Sequence, residues 1–210
     1  MLFKDRDEAG KKLAEKLAPY KGGDVVVYAL PRGGVVTAYR ISQALKAPLD
    51  LIITRKIGHP GDPECALCAV AEDGDIVCDE IERPAVDKEW LAKMVDRERH
   101  EAKRRREAYC SGVHIPACGR TAILVDDGVA TGLTMSLAVR EVLHEGPTNV
   151  VVAVPVLPKN IIKLFERSGA EVVCLDAPDL FEGAVGSYYE SFPQVEDAQV
   201  IKLLSMSRRV

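Results

Sequence analysis

The chain has 210 residues, 47% of them apolar and 29% charged, with a formal net charge of −4. That length suits one α/β domain with appended elements and a sizeable core, and that charge argues against nonspecific attraction to nucleic acid or to an anionic membrane. The first residues, Met1-Leu-Phe-Lys-Asp-Arg-Asp-Glu8, are too acidic and polar for a signal peptide, and no apolar run approaches the roughly 18 residues of a spanning helix. A cytoplasmic location is therefore expected, with the six cysteines (65, 68, 78, 110, 118 and 174) reduced.

An opening helix is predicted over 5–18, capped by Asp5 or Asp7 and carrying Ala9, Leu13, Ala14 and Leu17 as its apolar stripe. Pro19 and Gly22-Gly23 end it. Residues 24–30 form a nearly continuous apolar run, as in a strand buried on both faces of a parallel sheet. Pro31-Arg-Gly-Gly34 is a turn, 35–46 a helix and 49–54 a second strand. Residues 57–82 break this rhythm. Gly58, Pro60, Gly61 and Pro63 predict a loop, and 67–71 with 75–78 predict a hairpin about Asp73-Gly74. A long charged helix follows over 87–109, with Arg97, Glu101 and Arg105 at i,i+4 spacing. Regular alternation then returns: strand 121–125, helix 133–145, strand 149–154, helix 159–167 and strand 171–175. A loop over 176–195 and a last helix over 196–205 complete the chain. The expected fold is one α/β domain over 1–210, a five-stranded parallel sheet with helices on both faces. It carries an insertion or flexible cover at about 57–115 and a hood-like C-terminal tail at about 176–210.

In such sheets ligands bind beyond the carboxyl ends of the strands. The most informative turn there is Asp126-Asp-Gly-Val-Ala-Thr-Gly-Leu-Thr134. A buried strand delivers two adjacent carboxylates, a short loop follows, and then a helix starts. Backbone N–H groups of Gly128, Val129, Ala130, Thr131 and Gly132, with the hydroxyls of Thr131 and Thr134, suit an anion at the helix N-terminus. The two glycines allow close approach and positive φ. Asp126 and Asp127 would repel a phosphate; they suit sugar hydroxyls, or a hard cation held through water. The plain alternative is a strand-to-helix turn with a fortuitous acid pair. A Walker-type loop is excluded, since no Gly-Lys-Ser/Thr follows the glycines.

This segment resembles the 5-phosphoribosyl 1-pyrophosphate signature of type I phosphoribosyltransferases, nearer to the adenine and xanthine enzymes than to the hypoxanthine-guanine ones. Asp5-Arg6, Arg55-Lys56-Ile-Gly58 and Ala153-Val-Pro-Val156 extend the similarity to the predicted phosphoribosyltransferases of bacteria and archaea. The resemblance implies an Mg²⁺-dependent transfer of phosphoribose to a base or other nitrogen nucleophile, with release of pyrophosphate. It implies that Arg32, Gly33 and Gly34 form the pyrophosphate loop and that Arg55 and Lys56 edge a mobile cover. Arg32, Lys56, Asp126 and Asp127 then carry catalysis, with the metal on the two acids. Hypoxanthine-guanine enzymes carry an Asp two residues before the loop glycine, where this chain has Ala130, so no general base is identifiable and the acceptor is not named. A sensor that binds the sugar donor or a nucleotide without turnover shares the same motif. A small-molecule substrate is expected, with no nucleic-acid or membrane partner, and homo-oligomers are left open.

Weaker signals have plain readings. Cys65-Ala-Leu-Cys68 lacks a second pair for zinc, and His59, His100, His114 and His144 form no ligand pattern. A substrate contact from His59 stays open. Lys103-Arg-Arg-Arg106 reads as a solvated helix face. Tyr188, Tyr189 and Phe192 suit either stacking on a base or ordinary packing.

Overall fold

The computed structural model describes residues 1–111 and 113–208, and all of these side chains except Pro63 and Glu64. The side chain of the predicted loop residue Pro63 and the last two residues of the predicted tail lie outside the described residues. The helices are α1 (Arg6–Lys16), α2 (Gly34–Leu45), α3 (Lys88–Cys110), α4 (Leu133–His144), α5 (Lys159–Arg167) and α6 (Asp197–Ser207). The strands are β1 (Val25–Ala29), β2 (Leu49–Leu51), β3 (Thr54–His59), β4 (Asp62–Ala71), β5 (Ile76–Cys78), β6 (Thr121–Val125), β7 (Asn149–Val156) and β8 (Ala170–Asp176). Among the described residues no helix is long and apolar enough to cross a membrane.

The main sheet has the order β2-β1-β6-β7-β8, with every pairing parallel. Its strands are apolar on both faces because both faces are covered. Val25, Val27, Ala29, Ile123 and Val125 pack against Leu13, Leu17, Val35, Ile41 and Leu204 from α1, α2 and α6. Val26, Tyr28, Leu124, Val152 and Val154 pack against Met135, Val139, Val142 and Phe165 from α4 and α5. Each fully buried side chain of this kind is worth about 1.5–3 kcal/mol in transfer free energy. At the start of α1, Asp5 accepts from the Glu8 N–H at 2.8 Å, and Glu8 accepts from the Lys4 N–H at 2.8 Å. Both are first-turn capping contacts.

The insertion differs from expectation. The predicted strand 49–54 is divided: β2 stops at Leu51, and Thr54 opens a second, antiparallel sheet of order β3-β4-β5. The predicted loop from Gly58 onward is largely a β-ribbon, with its turn at Pro60-Gly61. Ile57 decides this, because it is buried with Leu67, Cys68, Val70 and Leu91 against α3. Gly58 marks a register irregularity rather than a loop. The other face of this sheet packs Ala69 and Ala71 on Leu133 and Leu137 of α4. The cysteines are not all reduced as expected. Cys68 stands opposite Cys78 in the β4–β5 register, and their sulfurs are bonded.

Helix α3 ties the two sheets together. Arg106, expected on a solvated face, is buried; it lies 3.4 Å from Asp50 and 3.1 Å from Glu72 and donates to the Leu51 carbonyl at 2.8 Å. Asp50 also accepts from the Ile115 N–H at 2.7 Å and meets His114 Nδ1 at 3.0 Å, while His114 Nε2 lies 2.8 Å from Glu145. One histidine thus bridges β2 to the end of α4. Its hydrogen bond to Asp50 raises the His114 pKa, outweighing burial. Burial alone would raise Asp50, but hydrogen bonds from His114 and Ile115 hold it low.

A group whose folded pKa is raised stabilises fully below its unfolded value, about 6.5 for histidine, and loses that contribution as pH rises through the folded value. The urea midpoint should therefore fall as pH is raised from about 6 through that range. His114→Gln should cost about 1–2 kcal/mol at the acid end and less at the alkaline end, flattening the profile. Parallel urea profiles for the two proteins would remove His114 from the pH dependence.

Candidate active site

Strands β1 and β6 are neighbours, yet α2 leaves β1 toward one face and α4 leaves β6 toward the other. Their outgoing turns diverge, and a crevice opens between them at the carboxyl end of the sheet, where the topology switches direction. The turn after β1 is Pro31-Arg-Gly-Gly34, with a cis peptide between Pro31 and Arg32. The turn after β6 is Asp126–Thr134.

The two turns touch. A Cβ added to Gly33 would fall 1.9 Å from Asp127 Oδ2. A Cβ added to Gly34 would fall 2.8 Å from the Val125 carbonyl and 2.9 Å from Asp126 Oδ1. Neither glycine has an unusual φ; the constraint is space. The glycine turn and the acid pair are therefore one construction.

The acids have different surroundings. Asp127 Oδ2 accepts from Arg6 Nε at 2.6 Å in a nearly buried ion pair. Arg6 also donates to the Pro193 carbonyl at 2.7 Å and lies 3.6 Å over the Phe192 ring. The Tyr189 hydroxyl donates to the Asp127 carbonyl. Asp126 Oδ1 accepts from the Asp127 N–H at 2.8 Å. Burial, and then the adjacent Asp127 carboxylate, push Asp126 well above the usual carboxylate range.

The loop beyond has donors to spare. The Val129 N–H is taken by the Val156 carbonyl at 2.9 Å, and the first α4 bond runs from the Ser136 N–H to the Gly132 carbonyl at 2.8 Å. Between them, among the described residues, no protein acceptor takes the N–H groups of residues 130–134. Gly132 has φ +83° and faces Ile161, so a side chain there meets both strain and a neighbour. Gly128 lies under Val185, whose Cγ1 would be 2.4 Å from an added Cβ. A hollow of about 760 Å³ flanks Ala130 and Thr131, bounded by Pro158, Lys159 and Phe181.

The basic residues predicted beside the acids are not all brought to them. Arg32 lies 3.2 Å from Asp197 at the start of α6, and Asp197 also accepts from the Tyr109 hydroxyl at 2.7 Å. Arg55 turns to α3, its Nε and Nη2 at 2.9 and 2.8 Å from Glu98 Oε2. Lys56 is exposed and stands opposite Ala69 in register. Cross-strand partners share a face, and Ala69 packs on Leu133 and Leu137 of α4. Lys56 thus lies on the face turned toward α4, the helix that follows the turn Asp126–Thr134. Tyr188 and Tyr189 are buried and Phe192 lies beneath Arg6, so all three tail aromatics serve packing. The contact of Arg6 with Asp127 is not legible from residues 121 positions apart, although the Asp5-Arg6 pair was itself a signal.

Comparison with known proteins follows the same outline. The pattern of the phosphoribosyl transferase domain matches residues 4–190. A Mycobacterium tuberculosis protein provisionally named a phosphoribosyl transferase, recorded in two strains, is 41% identical over 211 residues, covering 99% of this chain and 47% of its own length. The chain thus spans about half the length of these curated relatives. The crystal structure of TT1426 from Thermus thermophilus superposes with a TM-score of 0.78 at 43% identity, covering 97% of this chain and 98% of that one.

Removing one partner of a buried ion pair leaves the other charge uncompensated. Arg6→Ala should cost about 3–5 kcal/mol in urea unfolding and loosen the tail at Tyr189 and Phe192. Gly33→Ala should displace Asp127 and cost about 1–3 kcal/mol. Unfolding midpoints equal to that of the unaltered protein would show that these contacts do not hold the site.

Proposed function

The chain belongs to the phosphoribosyl transferase domain family, and from that premise we propose that it transfers phosphoribose from 5-phosphoribosyl 1-pyrophosphate to a nitrogen nucleophile, releasing pyrophosphate. The observation that carries this reading is the joint at the switch point: a Gly-Gly turn pressed on an acid pair, beside residues 130–134, whose N–H groups lack protein acceptors among the described residues. Residues 130–134 are positioned to take the 5′-phosphate. Asp126 and the second oxygen of Asp127 suit the ribose hydroxyls. The same pair fits Mg²⁺, because Asp126 is buried beside a like charge that Arg6 only partly offsets. Asp126 and Asp127 would hold the Mg²⁺, which would supply charge neutralisation for the diphosphate.

The chemistry at C1 is a displacement. The carbon–oxygen bond to the diphosphate breaks, its electron pair leaves with the oxygen, and the acceptor nitrogen forms the new bond. Negative charge grows on the departing group, so catalysis is chiefly positioning and electrostatics. Lys56 from the cover and Arg32 from the glycine turn would stabilise the departing group, Arg32 on exchanging Asp197 for it. Residues 67–71 are buried and cannot open, so the moving part of the cover is the ribbon tip around 58–62. This reading places the protein among cytoplasmic enzymes of nucleotide metabolism.

One observation favours a second reading, a sensor that binds the donor without turnover. Arg32 and Arg55 already hold carboxylates, Asp197 and Glu98. Pyrophosphate release measured against a panel of bases separates the readings: release with any base supports transfer, and tight donor binding with no release across the panel supports the sensor.

Asp126→Asn is the sharper test of the site, since Asp127 also holds Arg6. It should not lower stability, because it removes a repelled charge, but should weaken Mg²⁺-dependent donor binding by about 1–3 kcal/mol in titration calorimetry. Unchanged affinity would sink the assignment. Gly132→Val should abolish donor binding through the blocked left-handed turn. Lys56→Ala should lower turnover more than donor affinity; normal turnover would take that lysine out of the reaction.

A further inference from the structure

At the far end of α4, away from the site, a second group of side chains converges. Glu141 and His144 stand at i,i+3 on one face of the helix. Asp75 approaches them from the turn before β5. One ligand-capable atom from each lies within 4.8 Å of the other two. Asp75 is held from outside. Arg140 lies 2.7 Å from Asp75 Oδ2 and donates to the Ile76 carbonyl at 2.6 Å. The Asp75 N–H donates to Asp73 Oδ1 at 2.8 Å, and Gly74 makes the turn with φ +105°.

A second observation is independent of this convergence. The Oε1 atom of the half-buried Glu141 is shielded from solvent and has no hydrogen-bond partner among the described residues. A shielded carboxylate oxygen without a donor is costly, and proteins normally satisfy such atoms. Burial, then the neighbouring Asp73 and Asp75, push Glu141 up to about 7, with Arg140 opposing them. An ion among these three groups would satisfy the orphaned oxygen and offset the carboxylates. His144 is exposed, which leaves a route of entry from solvent.

We propose that Asp75, Glu141 and His144 form a divalent-metal site distinct from the acid pair at the switch point. Two carboxylates and one imidazole suit a borderline ion such as Zn²⁺ or Co²⁺, whereas Mg²⁺ and Ca²⁺ favour oxygen ligands. Three protein ligands leave the remaining positions to water. Arg140 is a positioning residue, since it orients Asp75 and does not meet the ion. The bound ion clamps the β4–β5 turn to the helix whose other end, about 12 Å away along the axis, carries the anchor loop.

The test is titration of the full chain with Co²⁺, followed by its visible d–d absorption and by calorimetry. One equivalent should bind without the thiolate charge-transfer band that cysteine ligation would give, and should raise the melting temperature. His144→Ala and Glu141→Gln should each weaken binding by roughly tenfold or more, and Arg140→Gln by roughly tenfold. Asp126→Asn should leave the tight equivalent in place. His144 is exposed, so its variant retains the fold, and melting in the absence of metal checks each protein. No bound Co²⁺, a thiolate band, or equal affinity in the His144 and Glu141 variants would overturn the site.

Discussion

Two charged or bulky groups cannot share the joint between β1 and β6, and the structure resolves this by removing side chains from one partner. Gly33 and Gly34 lie where any Cβ would collide with Asp127, Asp126 or the Val125 carbonyl. That exclusion brings two strand ends together so that one turn can supply backbone and cation while the other supplies carboxylates and N–H donors. Arg6 completes the joint. It neutralises the acid nearest the glycines, and its remaining contacts to Pro193 and Phe192 bind the N-terminus and the tail to the same point. A buried pair of this kind is weak evidence for net stability. Its clearer consequence is placement, because Asp127 cannot move without unpairing an arginine that three segments share.

The second sheet depends on burial rather than on the site. Its β3–β4 ribbon is held between α3 and α4 by Ile57, Leu67 and Val70 on one face and Ala69 and Ala71 on the other. Ion pairs then fix its orientation: Arg55 to Glu98, and Arg106 to Glu72 and Asp50. This gives the long helix α3 a role that its charge pattern does not suggest. The ribbon is buried at its base and exposed at its tip, so any closure in the proposed reaction would centre on residues near Pro60-Gly61.

Much of the main sheet was legible because its signals are local. Strand β6 is found at Thr121–Val125 as read, and helix α5 at Lys159–Arg167. The alternation of strands and helices followed from apolar runs separated by helical stripes, and the acid-rich turn followed from its own residues. The missed features depend on distant partners. Gly58, Pro60 and Gly61 signal a loop in isolation, but Ile57 needs Leu67 and Leu91 to show that it lies in a strand. Arg55 resembles a free cation until Glu98, 43 residues later, is placed beside it. The Cys68–Cys78 pairing was within reach: both lie five residues from Asp73, so a hairpin centred there sets them opposite each other. The general expectation of reduced thiols overrode that local geometry.

The paired arginines bear on how an anion would enter. Arg32 is held by Asp197, a carboxylate that also engages Tyr109 and so links α6 to α3. A diphosphate approaching the glycine turn meets a guanidinium that already has a partner. It gains the full Coulomb attraction of Arg32 only by displacing Asp197, whose own pKa is held low chiefly by the Tyr109 hydrogen bond and then by Arg32. In the proposed reaction Asp197 would therefore compete with the diphosphate for Arg32, besides tethering the last helix to α3.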